Sequence, residues 1–180
     1  EGALPGTTGR RRIYLMRHGF VDYTSKLVRE TQDPSQAYLT DEGREEARAA
    51  GIALSDVQLD VAFHTGLART KETAEVVLAQ HGLETTELEQ EERFKELKSG
   101  QYIDFKSPAH LAHEVGNRMI LAWSIGAPLG SSAVFEQDTG CINILDFDLV
   151  PDEDGNTRIE RALIKAVNLT PANYLKNGMN

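Results

Sequence analysis

The alternation of apolar and polar positions divides this chain into short strands and amphipathic helices joined by polar loops. Ile13 to Met16 is a short apolar run that ends abruptly in Arg17, His18 and Gly19. Bounded by basic residues and glycine, it reads as a buried strand that delivers its polar residues at its C-terminal end. In open α/β sheets that end is where ligands bind. Phe20 to Tyr38 has no clean period and contains Asp33-Pro34, which predicts a loop beside the site. Thr40 then caps a helix whose first turn holds Asp41 and Glu42 and whose apolar face is Ala47, Ala50, Gly51 and Leu54.

Leu59 to Phe63 predicts a second strand. A helix follows from about Thr70 to Gln80, with Ala74, Val77 and Leu78 on one face and His81-Gly82 as its stop. Glu84 to Arg93 is a polar run, and Met119 to Trp123 belongs to a further helix ended by Gly126 and Pro128. From Cys141 onward, Ile142 and Ile144, then Leu145, Phe147 and Leu149, alternate with one phase slip, which predicts a strand with a bulge. Asp154-Gly155 makes a turn and Arg158 to Val167 returns as the partner strand, leaving Asn168 to Asn180 as a loop or tail at the site's rim.

Composition narrows the class. A chain of 180 residues buries one good core, so a single domain over residues 10–180 is expected, preceded by a flexible or cloning-derived tail over 1–9. Arg10, Arg11 and Arg12 read as a solvated lead-in to the first strand. No apolar stretch approaches the ~20 residues of a membrane span, and Glu1 to Gly9 has no signal-peptide pattern. A net charge of −9 argues against nucleic acid and anionic membranes as partners. The single cysteine, Cys141, excludes an internal disulfide and fits a reducing cytoplasm; in an apolar strand it reads as a small core residue.

Candidate chemistry begins at Arg17 and His18. A guanidinium holds phosphate through paired hydrogen bonds while an adjacent imidazole serves as nucleophile or base. Alone, Arg-His-Gly is a weak tripeptide whose default reading is a strand end with a solvated arginine and a packed histidine. Further elements follow in order: Leu39-Thr40-Asp41-Glu42-Gly43 with Glu46-Ala47, Thr65-Gly66-Leu67-Ala68-Arg69 with Thr73-Ala74, Glu96 four positions before Gly100, and His113-Glu114 leading into Met119 to Trp123.

With these, the chain from about Arg12 onward resembles the histidine phosphatase superfamily, in its phosphoglycerate mutase-like branch. The resemblance implies a three-layer α/β/α sandwich with a mainly parallel central sheet. It also implies that His18 is a nucleophile forming a phosphohistidine, that Glu96 is the proton donor, and that Arg17, Arg69 and His113 bind the transferring phosphoryl group. His18 must then present an unprotonated nitrogen, so its other nitrogen should donate to a backbone carbonyl or similar acceptor.

The pattern departs from the family at several places. Phe20 and Thr24 stand where an acidic residue and an asparagine are usual, Glu46 replaces a glutamine, Thr65 a serine and Glu114 a glycine. Seventeen positions separate Glu96 from His113, an interval that in the family includes a helical segment and an apolar strand. Here it contains Ser107 to Ala112 with Pro108, a poor central strand. Either a segment is missing there, or a true deletion weakens the sheet.

The reading that results is a metal-independent, cytoplasmic phosphomonoesterase acting on a small phosphorylated substrate, with no cofactor, because the arginines supply the charge that Mg²⁺ provides elsewhere. Mutase-type phosphoryl transfer and a phospho-ligand-binding pseudo-enzyme are the alternatives. A metal site at His110, His113 and Glu114 is a poor reading, since Pro108 precedes it and a third ligand is undefined. Substrate identity and oligomeric state are not legible.

Overall fold

The run Ile13–Met16 is the end of a longer strand, β1 (Gly9–Met16), which takes in the three arginines. The computed structural model describes residues 6–81, 88–91 and 112–170. Beyond β1 the chain forms α1 (Lys26–Thr31), α2 (Asp41–Ala53), β2 (Ala62–His64), α3 (Ala68–Ala79), β3 (Leu88–Gln90), α4 (Ala112–Ser124), β4 (Ile142–Pro151) and β5 (Thr157–Leu169). Short 3-10 turns occupy Pro34–Gln36 and Leu129–Val134.

The larger sheet has the order β1-β4-β5 and both of its ladders are antiparallel. A smaller parallel pair joins β2 to β3. The expected mainly parallel sheet is therefore not what the described residues form. The cause is local. Residues 152–156 close β4 onto β5 with a tight turn, in which Gly155 takes φ +81 and Asp152 accepts from the amides of Asp154 and Asn156, and so short a link permits only antiparallel neighbours.

Both faces of this sheet are covered. Tyr14, Met16, Ile142 and Ile144 pack with Val21, Val28, Ala47, Ala50, Leu54 and Val77, beneath α2 and α3. Leu15, Leu145, Phe147, Leu149 and Ile164 pack with Ile120 and Leu121 of α4 on the other face. The phase slip read in β4 has this origin: its apolar residues serve one face as far as Ile144 and the opposite face from Leu145. Pairing to β1 runs without interruption, and the register shifts fall in the pairing with the longer β5.

Past Ile144, the first face is lined by charge. Arg12 lies opposite Asp146 and grips it through two hydrogen bonds of 2.6 and 2.8 Å. Asp148 is held between Arg10 at 2.7 Å and Arg161 at 2.8 Å. Both carboxylates are buried. Arg10 and Arg12 are thus partners of buried aspartates within the strand rather than a solvated lead-in.

Helix α2 begins, and helix α4 ends, where the sequence signals it. Thr40 Oγ1 accepts from Gly43 N at 3.1 Å to cap α2, and Ala47, Ala50, Gly51 and Leu54 are buried as patterned. Helix α4 closes in a Schellman motif, with Gly126 at φ +68 donating to Trp123 O and Ala127 N donating to Ala122 O. Four elements lay outside the sequence reading, one of them the 3-10 turn Leu129–Val134 after α4. Within the supposed loop Phe20–Tyr38, α1 is capped by Ser25 and buries Val28; a 3-10 turn follows at Pro34; and β3 sits in the polar run before Arg93. In α3 the buried positions are Arg69, Thr73 and Val77, one step round from the predicted face.

Candidate active site

Beyond the end of β1 the backbone continues to be held by the segment leading into β4. Arg17 N donates to Cys141 O and Gly140 N donates to His18 O, both at 3.1 Å. The next residue, Gly19, is wedged against helix α2: a Cβ there would lie 2.2 Å from Gly43 O. Gly19 is needed for this close approach of two backbones. Its amide donates at 3.2 Å to Thr73 Oγ1 of α3, which itself donates to Arg69 O. Glu46 of α2 completes the clasp, accepting from Phe20 N at 2.8 Å and from Thr139 Oγ1 at 2.7 Å. The loop carrying His18 is therefore fixed by α2, α3 and the lead-in to β4.

His18 is 7% exposed, and its Nδ1 lies 2.7 Å from the carbonyl oxygen of Gly19. A carbonyl only accepts, so Nδ1 carries the proton and Nε2 carries the lone pair of the neutral ring. This is the arrangement expected for a histidine that must present an unprotonated nitrogen.

Arg17 donates through Nη1 to Gln137 O and lies 3.5 Å from Glu114 on the first turn of α4. Gln137 is fixed in turn by a buried amide network with Asn143 and Asn117. Arg69 is 3% exposed; its Nη1 donates to Pro34 O at 2.9 Å and its guanidinium lies 5.5 Å from the centre of the Tyr23 ring. It is a buried, oriented cation, one helical turn from the threonine that holds Gly19.

Among the sequence-predicted residues, Arg17 and His18 stand together, and Thr73 ties the Arg69 helix to them. His113 lies on the first turn of α4, at the same end of β1 because its neighbour Glu114 reaches Arg17; its side chain is outside the described residues. Glu96 and His110 are also outside them. Thr24, one of the departures from the family pattern, directs its hydroxyl to Asp22 at 2.6 Å. Cys141 is buried, and burial pushes its thiol up to about 12, which leaves it a protonated core residue as expected. Sequence reasoning missed Glu114 and Arg118 as parts of this site, although their i,i+4 spacing on one helix was legible.

The family model of the histidine phosphatase superfamily (branch 1) matches residues 13–109, more than half of the chain. This chain belongs to that superfamily. Curated relatives agree: a 2,3-bisphosphoglycerate-dependent phosphoglycerate mutase of Allorhizobium ampelinum is 42% identical over 79 residues, covering 41% of this chain and 36% of that protein. A mutase of the same name from Bartonella tribocorum is 29% identical over 137 residues, covering 72% of this chain and 63% of that protein. The chain thus matches only about a third to two thirds of these relatives' length.

Among solved structures, the alpha-ribazole phosphatase of Shigella flexneri superposes with a TM-score of 0.63 at 17% identity, over 88% of this chain and 96% of that one. A mycobacterial glucosyl-3-phosphoglycerate phosphatase gives 0.59 at 14% identity, over 89% and 99%. These likenesses show the α/β fold. In the histidine phosphatase family model the match stops short of His113, so the family assignment rests on the half of the chain that holds Arg17, His18 and Arg69.

Proposed function

We propose that this histidine phosphatase family member is a metal-independent phosphomonoesterase that acts through a phosphohistidine intermediate on a small phosphorylated substrate. The observation that carries the reading is the His18 Nδ1–H bond to Gly19 O, which leaves the ring's lone pair on Nε2. In the first step Nε2 attacks phosphorus, and the bond from phosphorus to the leaving oxygen breaks. Glu96 delivers a proton to that oxygen. Water then attacks the phosphohistidine, giving its proton to Glu96 as the P–N bond returns its electrons to Nε2. Arg17 and Arg69, with His113, neutralise charge on the equatorial oxygens; fixed donors of this kind are the main source of rate enhancement in phosphoryl transfer.

The reading is tested by hydrolysis of p-nitrophenyl phosphate with EDTA present, comparing the chain with His18→Ala after both are shown to be folded by circular dichroism. The expected result is EDTA-resistant turnover that falls on the order of 10³-fold or more in the variant. Equal rates in the two proteins would remove His18 as nucleophile.

The mutase names of the relatives favour a second reading, phosphoryl transfer between positions of a phosphoglycerate. It requires that water be kept from the phosphohistidine. Isomerisation of 3-phosphoglycerate without release of inorganic phosphate would select it.

A further inference from the structure

Three charges lie in a row that starts at Arg17, the residue before His18. Arg17, Glu114 and Arg118 have side chains only 12, 15 and 18% exposed, and the Glu114 carboxylate bridges the two guanidinia, one oxygen toward each. The two contacts are unequal. Glu114 is in close contact with Arg118, one turn along the same helix, and sits at 3.5 Å from Arg17. The Nε atoms of both arginines are buried without a hydrogen-bond partner among the described residues. A planar carboxylate therefore leaves buried donors unanswered on each arginine it joins. Such donors are costly to leave unmade, and a tetrahedral oxyanion brings more acceptor oxygens than a carboxylate does.

We propose that Glu114 is a specificity-determining residue: an internal anion that occupies Arg17 until a phosphoryl dianion displaces it onto Arg118. This rests on the reading that Arg17 binds the phosphoryl group. Arg118 is then a positioning residue, since it takes the displaced carboxylate without touching substrate. A ligand must offer Arg17 more than the resident monoanion does. Phosphomonoesters, which are dianions with three free oxygens, meet that condition, whereas phosphodiesters and carboxylates carry a single charge and do not. The resident carboxylate lowers affinity for all anions by the same factor, because only the displaced state is competent to bind; this sets a threshold that dianions clear and the intrinsically weaker monoanions do not.

The test is calorimetric titration of the full chain at about pH 8 with inorganic phosphate and with dimethyl phosphate, on wild type, Glu114→Gln, Arg118→Gln, the double variant and Arg17→Ala, each checked for folding. Glu114→Gln should tighten phosphate binding roughly tenfold and make dimethyl phosphate binding measurable. Arg118→Gln alone should weaken phosphate binding several-fold, and that effect should vanish in the double variant. An unchanged or weaker Kd in Glu114→Gln overturns the proposal. So does an Arg118→Gln effect that persists in the double variant, which would place Arg118 on the phosphate itself. If Arg17→Ala binds phosphate as wild type does, the underlying assignment of Arg17 fails instead.

Discussion

Gly19 shows how little slack surrounds the nucleophile. With Gly43 O 2.2 Å from where a Cβ would stand, Gly19→Ala forces α2 away from the loop that carries His18. Overpacking of this kind costs about 1–3 kcal/mol, so the urea midpoint should fall, and turnover should fall with it because the neighbouring imidazole moves. An unchanged midpoint would mean that the loop and helix yield freely. At this scale the sequence was readable in part. Arg17 and His18 were singled out by their place at a strand end together with the resemblance. The reason for Gly19 was not legible, since its neighbour Gly43 is distant in sequence and only packing joins them. Arg69 was singled out only by resemblance, and its contacts with Tyr23 and Pro34 are visible only in the fold.

Among the elements, those with strong local signals were legible. Helix α2 has a capping threonine and a small-residue face, and the β4–β5 hairpin has a glycine turn between long apolar runs. Helix α1 and strand β3 have six and three residues, too few for a period to emerge. The sheet direction was taken from resemblance, and the tight turn at Gly155 decides it otherwise. The aspartates of β4 give the sheet a pH dependence. Hydrogen bonds from Arg10, opposed by burial and reinforced by Arg161, hold Asp148 at about 2, and Arg12 lowers Asp146 in the same way. An unfolded aspartate titrates near ~3.9. The ladder's stabilisation is therefore complete above about pH 4 and is lost as pH falls toward about 2. Acid unfolding followed by circular dichroism should shift to higher pH in Arg10→Gln, and an identical profile would deny the ladder its role.

Across the whole molecule, a central antiparallel sheet carries helices on both faces, and α2, α3 and α4 all meet the end of β1. That convergence brings Glu114 of α4 to Arg17 and ties α3, which carries Arg69, to the loop that holds His18. It also explains why the family pattern could point to His113 at the start of α4 but not to Glu114, which departs from that pattern and whose contact with Arg17 only the fold shows. The central claim is that His18 takes up a phosphoryl group at Nε2. The most direct measurement is a rapid acid-free quench of the chain during turnover of p-nitrophenyl phosphate, followed by peptide mass spectrometry under alkaline conditions. The account predicts a base-stable, acid-labile phosphate on His18 that is absent from His18→Ala. Turnover with no phosphate on His18, or with phosphate on another residue, would contradict it.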